Sequence, residues 1–418
     1  MMASETVVPD AGAVAADGDR ESGGIWAEIV GQPEAVRTLR TAAQAARDRL
    51  AGRRAATGAM THAWLFTGPP GSGRSAVARS FAGALQCTDP ETVGCGRCGA
   101  CETALAGTHA DVTIVAPEGL SISVAEMRSL VQAAARRPNT GQWRVVLIED
   151  ADRLTEGAAN ALLKAVEEPP ERTVFLLCAP SDHPADVSVT IRSRCRAVQL
   201  RTPLAGAIAE VLRDRDGVEY SMAEWAASVC GGHVGRARRL ATDPQARERR
   251  EAVLRIPLGL RGLAEVFEEA GQLVRAAEAE AGEVNESRDE AEKEELRTAM
   301  GAGGTGKGTS SATKGANAAL KELEKKQKAR TTRSQRDALD LALVDLAGFY
   351  RDVLALRFGA EVPLNHPDFA NQARRAAEEW TPETALRRLE AVLGCRTALD
   401  RNVKPIIAVE ALAAELYR

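Results

Sequence analysis

At 418 residues, 44% hydrophobic and 27% charged, the chain has the length and composition of roughly two to four globular domains. Aromatic residues are only 4% and alanine and leucine dominate, which favours helices. A formal net charge of −4 gives no global signal for nucleic-acid binding, and the lack of any apolar run of about 18 residues excludes a membrane-spanning helix.

Residues 1–24 carry Glu5, Asp10, Asp17, Asp19 and Glu21 against Arg20, which leaves the rest of the chain neutral overall. This stretch is rich in alanine and glycine, lacks periodicity and is expected to be disordered. It does not have the charged-then-apolar form of a signal peptide, so a cytoplasmic protein is expected. Its 8 cysteines then read as metal ligands or buried thiols rather than disulfides.

Order begins at Ile25-Trp26, and Pro33 suits the first position of a helix running to Leu50. A polar linker, 51–61, leads to the stretch on which the chain is organised, Trp64 to Ser75. There an apolar strand ends in Gly68-Pro69-Pro70-Gly71-Ser72-Gly73-Arg74-Ser75, and a helical pattern follows from Ala76. This is a phosphate-binding loop in which Arg74 stands at the lysine position. Loop N–H groups and a helix N-terminus would face a phosphate. A planar guanidinium is not equivalent to a compact ammonium, so weak nucleotide binding and loss of hydrolysis are both open.

Cys87, Cys95, Cys98 and Cys101 follow with the spacing C-x7-C-x2-C-x2-C. Four thiolates suit a tetrahedral, structural zinc that leaves no position for water, with Gly94, Gly96 and Gly99 supplying backbone freedom. Four unrelated buried thiols, or an iron–sulfur cluster, are the alternatives. His109 reads as an ordinary polar residue.

A strand is expected over 111–116, an amphipathic helix over 124–136, and a buried strand from Arg144 that ends in Glu149-Asp150. ATPases of this loop class place a metal-binding aspartate and a water-activating glutamate there, in the opposite order. Displacement of a catalytic group by about 1 Å can cost on the order of a hundredfold. Strand ends also carry acids with no catalytic role. A helix from Leu154 stops at Pro169-Pro170, strands follow over 173–179 and 197–200, and Ile191-Arg192-Ser193-Arg194-Cys195 precedes the last.

Together these residues resemble the clamp-loader branch of the AAA+ ATPases. The resemblance rests on Val30-Gly31-Gln32, His62-Ala63-Trp64-Leu65-Phe66, the four-cysteine insert, Ala159-Asn160-Ala161-Leu162-Leu163-Lys164 with Glu167-Glu168-Pro169-Pro170, and Ser193-Arg194-Cys195. It is clear over 25–245 and weaker beyond, where Asn402-Val403-Lys404-Pro405 to Leu412 is similar to the family's last collar helix. It implies an α/β AAA+ P-loop domain with a parallel sheet and zinc module 87–101 (25–203), a helical lid (204–248) and an all-α collar (249–418). It also implies a hetero-pentameric ring with gamma/tau- and delta-type subunits that opens a sliding clamp on primed DNA, as part of a nucleotidyltransferase holoenzyme. Arg194 would act in trans as an arginine finger on a neighbour's ATP. Read without the resemblance, Arg192, Arg194 and Arg196 are a solvated basic edge.

The departures from the family pattern are Arg74, the Glu149-Asp150 order, Ala179-Pro180 near the polar sensor position, and Gly235 where the lid of ATPase members carries arginine, with Arg236 one place late. All meet the γ-phosphate or the attacking water in hydrolysing members. The expected role is therefore a stator with a degenerate site, weak in ATP and Mg²⁺ at best. An active motor subunit of the same loader, a branch-migration motor and a purely structural zinc-stabilised scaffold are the rivals.

Trp225 and His233 read as packing residues. Residues 275–336 form a charged, Gly-rich insertion: seven acids against three bases over 283–297, eight bases against two acids over 314–336, and a glycine-rich stretch over 300–309. That stretch reads superficially as a second phosphate loop, but no strand precedes it and Gly308 occupies the Ser/Thr position. An antiparallel helical hairpin is expected, with its basic arm either a solvated face or a contact for DNA phosphates. The remaining helices are expected over 339–358, 371–379, 381–393 and 403–417.

Overall fold

The computed structural model describes residues 23–54, 58–117, 119–259, 262–299 and 309–417. Nearly all of the N-terminal tail and of the second glycine-rich stretch, 300–308, lies outside them. The chain divides into two compact units. The first runs up to Val115 and adds Ala125–Asp152 and Ala159–Arg201; the second takes Ala116–Val124, Arg153–Ala158 and Thr202–Arg418.

The first unit is built on five parallel strands: β1 (Ala63–Thr67), β2 (Val112–Val115), β3 (Arg144–Ile148), β4 (Thr173–Ala179) and β5 (Arg196–Gln199), in the spatial order β2-β3-β4-β1-β5. β1 and β4 are buried along their whole length, the continuous apolar signature of a sheet covered on both faces. Helices α1 (Pro33–Leu50), α2 (Arg74–Gln86), α3 (Gly99–Leu105) and α4 (Val124–Ala134) come with the first three strands, and α5 (Glu156–Glu167) and α6 (Val189–Arg192) with the last two. Trp64 and Phe81 meet edge to face at 5.1 Å between centroids and are fully buried. Each such ring contributes on the order of 1.5–3 kcal/mol by burial. The phosphate loop follows β1, and the order of the parallel strands is the one expected from the AAA+ resemblance; in an open sheet of this kind the functional edge lies at the strands' C-terminal ends.

The structure shifts some expected boundaries. α2 starts at Arg74 rather than Ala76, because Gly73 takes the left-handed conformation (φ 85°) and caps the helix there. β3 closes at Ile148, so Glu149 and Asp150 lie just past the strand. α3 was not expected, and Gly99 is its first residue, with no left-handed backbone to require a glycine.

The second unit is helical: α7 (Ala205–Asp214), α8 (Tyr220–Val229), α9 (Val234–Thr242), α10 (Pro244–Gly259), α11 (Leu263–Ala299), α12 (Thr309–Arg357), α13 (Ala370–Glu379), α14 (Pro382–Asp400) and α15 (Pro405–Tyr417). α11 and α12 pair antiparallel as the charge pattern suggests. Arg330 bonds Asp289 at 2.9 Å and Glu292 at 2.9 Å, Gln327 donates to the Asp289 carbonyl, and Asn285 donates to Ser334 Oγ. α12 is a single helix of 49 residues that unites the basic arm expected over 314–336 with the helix expected from Leu339. Phe349, Tyr350, Leu343 and Leu412 sit in the core of this unit. No described helix is long and apolar enough to cross a membrane.

Candidate functional site

The phosphate loop is closed on itself. Ser72 N–H donates to the Pro69 carbonyl (3.1 Å), and Gly68 N–H to the Pro180 carbonyl beyond β4 (3.2 Å). Arg74 Nη1 donates to the Gly68 carbonyl at 3.0 Å. The guanidinium thus folds over the loop's backbone at the position from which a lysine would reach a phosphate. Pro69 and Pro70 are exposed, whereas Gly71, Gly73, Arg74 and Ser75 are partly covered and Ser72 is buried.

Glu149 is engaged from α2. Arg79 places Nη2 at 2.7 Å and Nε at 3.0 Å from a single oxygen, Oε1, with the carboxylate side chain only 16% exposed. With Oε1 taken by both guanidinium N–H groups, that oxygen is not free to orient an attacking water. Asp150 is half-buried beside it. Cys178 of β4 is fully buried, and burial pushes its thiol up; it is not a nucleophile.

Gln32 carries a role that the sequence did not assign it. Its buried amide donates to the carbonyls of Ser72 (3.3 Å) and Arg201 (2.6 Å) and accepts from the Arg201 N–H (3.1 Å). One side chain ahead of α1 thus fastens the loop to the chain leaving β5. Arg79 was missed as well. Its only signal was a base five residues after Arg74 on the loop helix.

Arg194 lies just past α6, exposed. Nη2 sits 2.7 Å from Glu167 Oε1 at the end of α5, and Nη1 donates to the Thr190 carbonyl at 2.9 Å. Both partners of the ion pair are more than a third exposed, so it holds the guanidinium loosely.

The four cysteines converge. The Sγ atoms of Cys87, Cys95, Cys98 and Cys101 all lie within 4.8 Å of one another, and three of the residues are buried. This fits a tetrahedral thiolate site, in which sulfurs about 2.3 Å from a metal stand about 3.8 Å apart. Cys95 N–H donates to Cys87 Sγ at 3.5 Å, a contact that orients a thiolate ligand. Gly94 and Gly96 turn the chain at φ 77° and 75°; a Cβ on Gly96 would stand 2.9 Å from the Gly24 backbone. His109 stays out of the cluster, accepting at Nδ1 from the Asp111 N–H. These residues can hold a metal ion.

In the helical unit Arg236 does not mimic the missing lid arginine. It is buried, with Nη2 2.5 Å from both oxygens of Asp345 on α12. His233 is exposed and caps α9, accepting at Nδ1 from the Arg236 N–H, and the half-buried Trp225 donates to Asp368.

The family model described as DNA polymerase III, delta subunit, matches residues 44–203. A Pseudomonas aeruginosa protein named DNA polymerase III subunit delta′ is 42% identical over 153 residues, 36% of this chain and 45% of that protein. Over those residues the chain is similar to delta-prime subunits. The Escherichia coli delta′ subunit is 37% identical over 145 residues, 34% of this chain and 43% of its own length. The Bacillus subtilis tau subunit is 31% identical over 182 residues, 43% and 30%. The chain thus spans under half the length of these delta-prime and tau relatives. Among solved structures, a gamma subunit-related protein of Thermotoga maritima aligns over 91% of this chain and 100% of its own, with TM-score 0.41 and 15% identity.

Proposed function

We propose that this chain is a clamp-loader subunit of the DNA polymerase III holoenzyme, a stator that does not hydrolyse ATP itself. It would join gamma/tau- and delta-type subunits in a hetero-pentamer that opens the sliding clamp on primed DNA. The observation that carries the reading is the closed loop site: Arg74 on the Gly68 carbonyl, with Glu149 held by Arg79. Gly68, Gly71, Gly73 and Ser75 remain compatible with weak nucleotide binding. Residues 204–248 would be the lid and 249–418 the collar, and the buried Arg236–Asp345 pair ties α9 to α12 where a motor's lid would move.

Arg194 would serve a neighbouring subunit, exchanging Glu167 for the charge that develops on a transferring phosphoryl group. The metal of the four-cysteine cluster would be Zn²⁺. It supplies a fold-stabilising tetrahedral centre and no catalytic water, since all four positions are thiolates. Cys87, Cys95, Cys98 and Cys101 would hold it, tying the end of α2 to the start of α3.

The direct test is ATP turnover by the purified chain. Background turnover, unchanged by Arg74→Ala, is expected. Steady turnover that Arg74→Ala abolishes would establish a motor subunit instead.

A further inference from the structure

The phosphate loop and the four-cysteine cluster lie at the two ends of one helix. α2 starts at Arg74, and Cys87, the first of the four cysteines, caps its other end; its 13 residues put about 20 Å between the two sites. A second connection, the segment 24–32 ahead of α1, spans the same two ends. At the cluster, Ile25 N–H donates to the Gly94 carbonyl (3.2 Å) and Trp26 Nε1–H to the Val93 carbonyl (3.0 Å). The two backbones are in contact there, and a Cβ on Gly24 would stand 2.9 Å from the Cys95 carbonyl. Ile25 and Trp26 are fully buried, and Arg40 of α1 stacks on the Trp26 ring at 5.6 Å. Six residues beyond Trp26, the buried Gln32 amide donates to the carbonyls of Ser72 in the loop and Arg201 after β5. Loop, α2, cluster and segment 24–32 thus form a closed ring. The join at the cluster is made at sulfur: Cys95 N–H donates to Cys87 Sγ, and Cys101 Sγ faces the Gly83 carbonyl of α2 at 3.7 Å.

We infer that the cysteine cluster anchors the phosphate loop. With a metal ion on the four thiolates the ring is closed and the loop is held shut; without it the loop loosens. The inference rests on the proposed metal at this cluster. A cation joins Cys87 at the end of α2 to the turn that carries Cys95, Cys98 and Cys101, whose sulfurs all lie within 4.8 Å of one another. Without the cation the sulfurs take protons, and neutral thiols are weak hydrogen-bonding groups. The turn at 93–96 then loses its fixed place, Ile25 and Trp26 lose their carbonyl partners, and Gln32 loses the rigid backbone from which it reaches Ser72. Trp26 and Gln32 are thereby positioning residues for the loop, and the cluster acts beyond its own fold.

The test is hydrogen exchange on the full chain with and without metal, read at the amides of Gly68 and Ser72, which bond the carbonyls of Pro180 and Pro69. Metal content and release are followed with the zinc indicator 4-(2-pyridylazo)resorcinol. Metal removal should speed exchange at both amides by roughly tenfold or more while the centres of β1, β3 and β4 stay protected. Gln32→Ala should speed it to a similar extent with metal still bound. Metal removal from that variant should then add less than about twofold, because the link is already cut. Should Gln32→Ala fail to fold, Trp26→Phe deletes the bond to Val93, keeps an aromatic ring and should show the same non-additivity. Loop amides indifferent to metal removal, or effects of metal and variant that simply multiply, would overturn the anchor and leave the cluster a local fold element. A chain that binds no metal would fail the metal reading itself, and the anchor with it.

Discussion

Arg74 and Glu149 are each one side chain away from an ATPase pattern, and each has found a different partner. Arg74 bonds the loop's own Gly68 carbonyl, and Glu149 bonds Arg79. Reverting one of them does not rebuild the site. In Arg74→Lys, ATP turnover by the purified chain should remain at background, measured by phosphate release, because Glu149 remains held by Arg79. Both departures were legible as residue types in the sequence. The Arg79 contact was not, because it depends on how α2 packs against the end of β3. At the same scale, His366 is buried with Nδ1 accepting from Arg250 and Nε2 facing the Asp345 carbonyl. Burial, opposed by Asp345 and reinforced by the Arg250 charge, depresses its pKa. Below the ordinary imidazole value, about 6.5, the unfolded chain takes a proton that the folded chain refuses. Stability should therefore be full above that value and fall as pH drops through it, by up to about 1.4 kcal/mol per unit. Urea midpoints on either side of that value check this, and His366→Gln should flatten the dependence.

Elements were readable where a local cause sets their ends. The helix from Pro33 to Leu50 and the strand from Thr173 to Ala179 were expected at those bounds, one started by proline and the other an unbroken apolar run. α2 was placed two residues late because a left-handed Gly73, not apolar periodicity, starts it. α12 was expected in two pieces, a basic helical arm over 314–336 and a helix from Leu339, because its earlier half is polar; Arg330 and Gln327 tie that half to α11. With the proposed metal at its four thiolates, the four-cysteine module would be the element most dependent on a group beyond the chain. Burial pushes the Cys95 and Cys101 thiols up, so their thiolate forms need a cation beside them. A chelator should therefore release amide protection across 87–101 in hydrogen exchange while β1, β3 and β4 stay protected. Protection unchanged on metal removal would show a module that folds on its thiols alone.

At the scale of the whole molecule, the parallel sheet, the loop after β1 and the cysteine module were legible because each leaves a local signature in sequence. The clustering of α7–α9 with α10–α15 in one unit was not, since the pairs that join them, Arg236–Asp345 and Trp225–Asp368, are 109 and 143 residues apart. In the proposed reading the chain's own site is closed and Arg194 is the group that would act on a neighbour; it is held by an exposed ion pair with Glu167 and by hydrogen bonds to Thr190 and Ser193. Steady-state ATP hydrolysis by the loader reconstituted with its partner subunits, comparing the native chain with Arg194→Ala, tests this most directly. The partners' turnover should fall by about 10³ or more when the guanidinium is removed. Turnover unchanged by the substitution would contradict a trans-acting arginine and leave this chain a scaffold.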